Sequence, residues 1–164
     1  MIRWGYKKGF LILSPLFSSV NITAMSSQVN EPMMTNANSQ SRPKMIEVQS
    51  SGVPSVNQQY TWQDGSIVPQ GFEKVCIENH WHVETTWKSL NQNKPWLEGT
   101  KNEAYIYFNH ADGHWWIDEP HGSGVFIAPA PINSKENLQG IPPCNGWKAL
   151  AASYEPLPTI LQQL

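Results

Sequence analysis

Residues Tyr105 to Asp118 read YIYFNHADGHWWID, two aromatic-rich runs on either side of Ala111-Asp112-Gly113. Asp-Gly between alternating runs is a strong signal for a tight hairpin turn. If Asp112-Gly113 is the loop, Phe108 sits opposite Ile117; if His110 to Gly113 is the loop, it sits opposite Trp115. Both loops have even length, so both give the same partition of faces. Ile106, Phe108, Trp115 and Ile117 share one face, which is apolar and expected in the core. Tyr105, Tyr107, Asn109, His114, Trp116 and Asp118 share the other, aromatic but rich in hydrogen-bonding groups.

Downstream, the turn Pro120-His-Gly-Ser-Gly124 leads into Val125-Phe-Ile-Ala128, a strand expected to pair with residues 115–118 and complete a meander. A Pro-punctuated loop runs from Pro129 to Asn145, after which Trp147 is expected to tuck back on the sheet. The tail from Ala151 allows a short helix limited by Pro156 and Pro158. Upstream, Ser89 to Asn102 reads as a loop containing Pro95-Trp96, and Met45–Val48 and Gln58–Trp62 as short strands. From Val75 to Trp87, Val75, Ile77, Trp81, Val83 and Trp87 alternate with Cys76, Glu78, His80, His82 and Glu84. That period of two predicts a long half-buried strand, bent or bulged near Asn79.

The whole reads as an all-β chain: a small antiparallel meander of about five to six strands with long Pro/Gly loops and a flexible N-terminal segment. Thirteen Pro, eleven Gly and eight Trp with 15% charged residues fit short strands joined by turns better than a helical bundle. A net charge of −2 without a basic stripe argues against nucleic acid as a partner. Residues 1–28 read as a targeting segment: Arg3, Lys7 and Lys8 precede a short apolar run, and no acidic residue occurs before Glu31. That run falls well short of the roughly 20 residues a transmembrane helix needs, so no transmembrane span is expected. A secreted or extracellular chain is the first expectation, with organelle-targeted and cytoplasmic chains as alternatives. Residues 29–44 read as a disordered linker, 45–155 as the Trp-rich β domain and 156–164 as a tail.

Candidate chemistry is sparse. His80 and His82, two apart on the expected strand, would point the same way and are the candidate metal ligands. Cupin domains use such a pair with a later Glu, but Glu84 follows His82 too soon to match. His110, His114 and His121 fall on different strands or faces. Asp118 and Glu119 are adjacent on a strand and point apart, so they cannot flank a glycosidic bond. Cys76 and Cys144 are a candidate disulfide if the chain is secreted. Nothing in the residues argues for an enzyme, and no cofactor is expected.

Gly52-Val53-Pro54 with Val56-Asn57 and Tyr60, Tyr105-Ile-Tyr107 with Trp116-Ile117, and Pro142-Pro143 with Gly146-Trp147 together cover residues 52–147. In these pieces the chain resembles a small Trp-rich β module of algal and other protist proteins, a pattern without an assigned activity that implies no catalytic residues. The hairpin is also similar in part to WW domains, which bind Pro-rich peptides. Tyr107-Phe108, Asn109-His110, Trp116 and Pro120 match, with Trp96 upstream. Trp116 comes one residue too early after Asn109, and a one-residue slip sends a strand side chain to the opposite face.

The function expected from these residues is non-catalytic binding of a glycan or a protein through the aromatic face. Tyr105, Tyr107 and Trp116 would stack on the ligand while Asn109, His114 and Asp118 orient it. The alternatives are an accessory subunit, with that face buried by a partner, and a metal-dependent enzyme using His80 and His82.

Overall fold

The computed structural model describes residues 42–130 and 140–163. The expected targeting segment 1–28 lies outside the described residues, as does the linker up to residue 41. Residues 42–44 pack on the sheet: Trp62 Nε1 donates to the Pro43 carbonyl at 2.8 Å, and the Arg42 guanidinium lies 4.6 Å over the Trp62 ring.

The strands in chain order are β1 (Met45–Gln49), β2 (Gln59–Gln63), β3 (Trp96–Gly99), β4 (Tyr105–Asn109), β5 (His114–Asp118), β6 (Gly124–Pro129), β7 (Lys148–Ala149) and β8 (Thr159–Gln163). They form one eight-stranded sheet in the order β7-β6-β5-β4-β3-β2-β1-β8. Every neighbouring pair is antiparallel, and the sheet curls into a half-barrel. The architecture is all-β, with more strands than the sequence suggests and two short helices, α1 (Gln70–Glu78) and α2 (Val83–Asn91), inserted between β2 and β3.

The hairpin follows the longer of the two loops, with Phe108 opposite Trp115 and Asn109 opposite His114. Its two faces divide as parity requires. Ile106, Trp115 and Ile117 join Ile46, Val48, Tyr60, Leu97, Phe126 and Ile160 inside the curl. Tyr105, Tyr107 and Trp116 face the helices, where they meet Trp96, Phe72, Cys76, Trp87 and Leu90. A register shift at Ile117/Asp118 pairs Asp118 with Gly124 and lets both Val125 and Phe126 enter the inner core. Loop residues Ile141 and Trp147 close that core, and the Trp147 indole donates to the Pro143 carbonyl at 2.9 Å.

The expected long strand over Val75–Trp87 is corrected: the segment belongs to two helices joined by a turn. The buried residues follow helical spacing, Phe72 and Cys76 on α1, Trp87, Leu90 and Asn91 on α2, whereas Ile77 of the supposed apolar strand face is 60% exposed. Local chemistry breaks the chain at the turn. Asn79 caps α1, His80 takes a left-handed conformation at φ 57°, and the His82 ring accepts from the Thr85 amide at the start of α2. Glu73 and Glu84 in the first turns, and Lys88 in the last turn of α2, suit the helix dipoles. Indole hydrogen bonds tie down the preceding loop: Trp87 Nε1 donates to the Gly65 carbonyl at 2.9 Å and Trp96 Nε1 to the Ile67 carbonyl at 2.9 Å.

Two further expectations change. The loop over residues 89–102 contains the end of α2 and all of β3. The tail is not an appendage: β8 pairs with all five residues of β1, so the domain continues to residue 163. This return brings Glu155 and Pro156 against Gly52, whose amide donates to the Pro156 carbonyl at 2.8 Å. A Cβ at Gly52 would lie 1.9 Å from the Glu155 carbonyl oxygen, so no larger residue fits. Gly52→Ala is expected to destabilise the domain by about 2–4 kcal/mol. The measure is a lower urea midpoint with unchanged slope; a wild-type midpoint would show that the 155–156 segment yields freely.

Candidate functional site

The residues expected to form an open aromatic platform are brought together but covered. Tyr105, Tyr107 and Asp118 are fully buried and Trp116 nearly so. Trp87 lies 5.4 Å from the Tyr107 ring and Trp96 6.3 Å from the Tyr105 ring, centroid to centroid. The expectation that this face is exposed is therefore corrected, because α1 and α2 supply the layer that strands with two apolar-rich faces require. Burial is the main influence on both tyrosines and raises their pKa well above the usual phenol value; the neighbouring Asp118 charge acts in the same direction.

At the hairpin tip the polar members build the turn. The Asp112 carboxylate accepts from Trp116 Nε1 at 2.9 Å, the His114 amide at 3.0 Å and Asn109 Nδ2 at 3.3 Å. Asn109 Oδ1 accepts from the Ala111 amide at 2.9 Å. Asn109, His114 and Trp116 thus hold Asp112 and the loop in place.

The remaining candidates are dispersed. His82 is exposed beside Thr85 and Glu84, its Nδ1 3.0 Å from the Thr85 hydroxyl and 3.4 Å from the Glu84 carboxylate. His80 occupies the turn before it. Among the described residues no three His, Cys, Asp or Glu side chains are placed to hold a metal ion. Cys76 is buried in the cluster under the helices while Cys144 is exposed on the loop that closes the inner core, so the expected disulfide is not formed.

A different concavity lies on the outer side of β1 and β2, next to the turn between β3 and β4. It is a groove of about 410 Å³ lined by Glu47, Val48, Gln49, Ser50, Asn57, Gln58, Gln59, Thr100 and Lys101. Its frame is rigid. Asn57 clamps Ser51 twice, Oδ1 accepting from the Ser51 amide and Nδ2 donating to its carbonyl, each at 2.9 Å. Gln58 Oε1 accepts from the Lys101 amide at 2.7 Å, and its Nε2 donates to Asn102 Oδ1 at 2.6 Å. Asn102 in turn donates to the Ser55 carbonyl and accepts from the Ala104 amide. Ser50 stands at the rim with φ 58°, a left-handed conformation uncommon for a residue with a Cβ.

The working surface of the groove comes from outward-facing strand positions. Pairing register aligns Leu161, Glu47 and Gln59 across β8, β1 and β2. The Glu47 carboxylate accepts from Gln49 Nε2 at 2.8 Å and from Gln163 Nε2 at 3.2 Å. Each carboxylate oxygen thus takes one amide, from opposite directions along the strand, and keeps further acceptor capacity. The lining therefore offers amide donors and acceptors, hydroxyls, one carboxylate and one ammonium group. A lone carboxylate does not supply the acid and base pair of glycoside hydrolysis.

The groove was not legible in the sequence, because alternating polar residues on Met45–Gln49 and Gln59–Gln63 are the ordinary solvent face of a strand. The signal that could have found it is the cluster Asn57, Gln58, Gln59: three amide side chains in a row, two committed to the backbone of the neighbouring turns.

Burial of the phenols makes the packing of the sheet testable by pH. Tyr60, Tyr105 and Tyr107 all have pKa values raised by burial. The unfolded chain releases these protons near pH ~10. Stability from these residues is thus fully present below about pH 10 and is lost as pH rises toward the folded-state values. The phenolate absorbance of these three tyrosines is expected to appear in one step together with loss of the circular dichroism signal. Smooth ionisation of all tyrosines in a still-folded chain would show that these hydroxyls reach solvent.

Comparison of the chain with protein-family models, with curated proteins and with solved structures returned no match, so the reading of the groove rests on its own residues.

Proposed function

We propose that this chain is a non-catalytic binding module that holds a carbohydrate chain in the groove beside β1 and β2. The observation that carries this reading is a lining of amide, hydroxyl and single charged groups on a hydrogen-bonded frame. A sugar hydroxyl donates and accepts at once, and so do a side-chain amide and a threonine hydroxyl, so Gln49, Gln59 and Thr100 match neighbouring sugar hydroxyls. Glu47 accepts from a hydroxyl pair, and Lys101 donates to a ring or carboxyl oxygen. The frame was ordered during folding, which limits the entropy lost on binding.

The resemblance to the Trp-rich module gains a physical content under this reading. Its first piece, Gly52-Val53-Pro54 with Asn57 and Tyr60, shapes the frame: Asn57 clamps Ser51, and the Tyr60 hydroxyl donates to the Val56 carbonyl at 2.8 Å. Secretion directed by residues 1–28 would bring the groove to extracellular glycans.

The test is a two-dimensional NMR titration of the full chain with neutral and acidic oligosaccharides. Saturable shifts are expected at Glu47, Gln49, Gln59, Thr100 and Lys101. Gln59→Ala and Lys101→Ala, both changes at the groove surface, should each weaken binding about tenfold with an unchanged melting temperature. Absence of saturable shifts with every oligosaccharide, or shifts confined to other surfaces, would overturn the proposal.

A further inference from the structure

The two edges of the sheet are built differently. The β7 edge is two residues long and carries an exposed Lys148, both common devices against strand pairing. The β8 edge, Thr159-Ile-Leu-Gln-Gln163, is five residues long, uncharged and free of proline and bulges. Among the described residues its sole strand neighbour is β1, and no described backbone group bonds to its far side. Leu161 on its outer face is 41% exposed and Leu157 just before it 42%.

We propose that β8 pairs antiparallel with β8 of a second copy of this chain, across a two-fold axis at Leu161. The strand is complementary to itself about that residue. All five positions then pair: Leu161 faces Leu161 of the second copy, Thr159 faces Gln163, and Ile160 faces Gln162. Each pairing is apolar on apolar or sets a hydroxyl or an alkyl group beside an amide. No charge is repeated across the axis, which a self-pairing strand requires. A segment of this length buries less area than a standard stable interface, so the dimer is weak, with a dissociation constant on the order of 10–100 µM. The joined sheets leave both grooves open to solvent, because the axis lies on the far side of β8 from β1.

Sedimentation velocity of the full chain over about 1–500 µM tests this directly. Reversible dimerisation is expected. Leu161→Glu and Leu161→Lys each place like charges opposite one another and should raise the dissociation constant about tenfold or more. An equimolar mixture of the two variants should associate again, since Glu then faces Lys. A wild-type chain that stays monomeric throughout overturns the proposal. So do single variants that dimerise like wild type, or a mixture that stays monomeric while wild type dimerises. Hydrogen exchange of the wild type supplies a second reading that needs no variant. The amides of Ile160 to Gln162 should exchange more slowly at high concentration, and rates independent of concentration count against pairing at this edge.

Discussion

The hairpin of β4 and β5 is buried on both faces, and this condition governs the rest of the molecule. One face supplies Ile106, Trp115 and Ile117 to the interior of the curl; the other presents Tyr105, Tyr107 and Trp116. Aromatic side chains of that size strongly favour removal from water. A curled single sheet can enclose only its inner face. The outer face of β3 to β6 therefore needs a second layer, and α1 and α2 provide it through Phe72, Cys76, Trp87 and Leu90. Strands β8, β1 and β2 escape this demand because their outward residues are Thr, Gln, Glu and single apolar side chains. The division of the outer face into a covered half and a bare half thus follows from side-chain chemistry.

Burying so many amphipathic aromatics leaves hydrogen-bonding tips to satisfy. Indole groups solve this by holding loops: Trp62 binds Pro43, Trp87 binds Gly65, Trp96 binds Ile67 and Trp147 binds Pro143. Each of these four tryptophans packs against a core cluster and tethers an irregular segment, which helps a chain with so many prolines and glycines keep a defined shape. The tyrosines under the helices lie against Asp118, which is itself fully buried. A buried carboxylate beside two phenols favours their neutral forms. Aromatics with polar tips can thus be a structural requirement here, even where the same set of residues would serve a ligand on an open surface.

The groove draws on the opposite strategy. Its frame uses side-chain amides to replace backbone pairing at turns: Asn57 with Ser51, Gln58 with Lys101, Asn102 with Ser55. Gly52 lets the returning chain at Glu155 approach closely enough for β8 to dock on β1. The same joint therefore supports the β1 wall of the groove and creates the exposed β8 edge. Both proposed interaction surfaces lie where the sheet is bare, while the aromatic hairpin face is buried under the helices.

Much of the sheet was legible in the chain because its signals are local. Asp112-Gly113 with parity set the faces of Tyr105 to Asp118, and short runs bounded by turn residues marked β1, β2 and β6. Residues 70–91 mislead because Val75, Ile77, Trp81, Val83 and Trp87 satisfy a period of two by coincidence. What selects the helix there is non-local: a helical face is needed to cover Tyr107 and Trp96, and only the folded sheet creates that need. The fate of the expected site was decided at the same level, since an aromatic face reads identically in sequence whether a second layer covers it or not. Strand β8 is weakly patterned in sequence, and pairing with the edge of β1 is what makes it a strand. The amino-acid order alone determined the hairpin, the face of each of its side chains and the all-β character. Tertiary structure decided which faces meet water, because burial depends on partners distant in the chain.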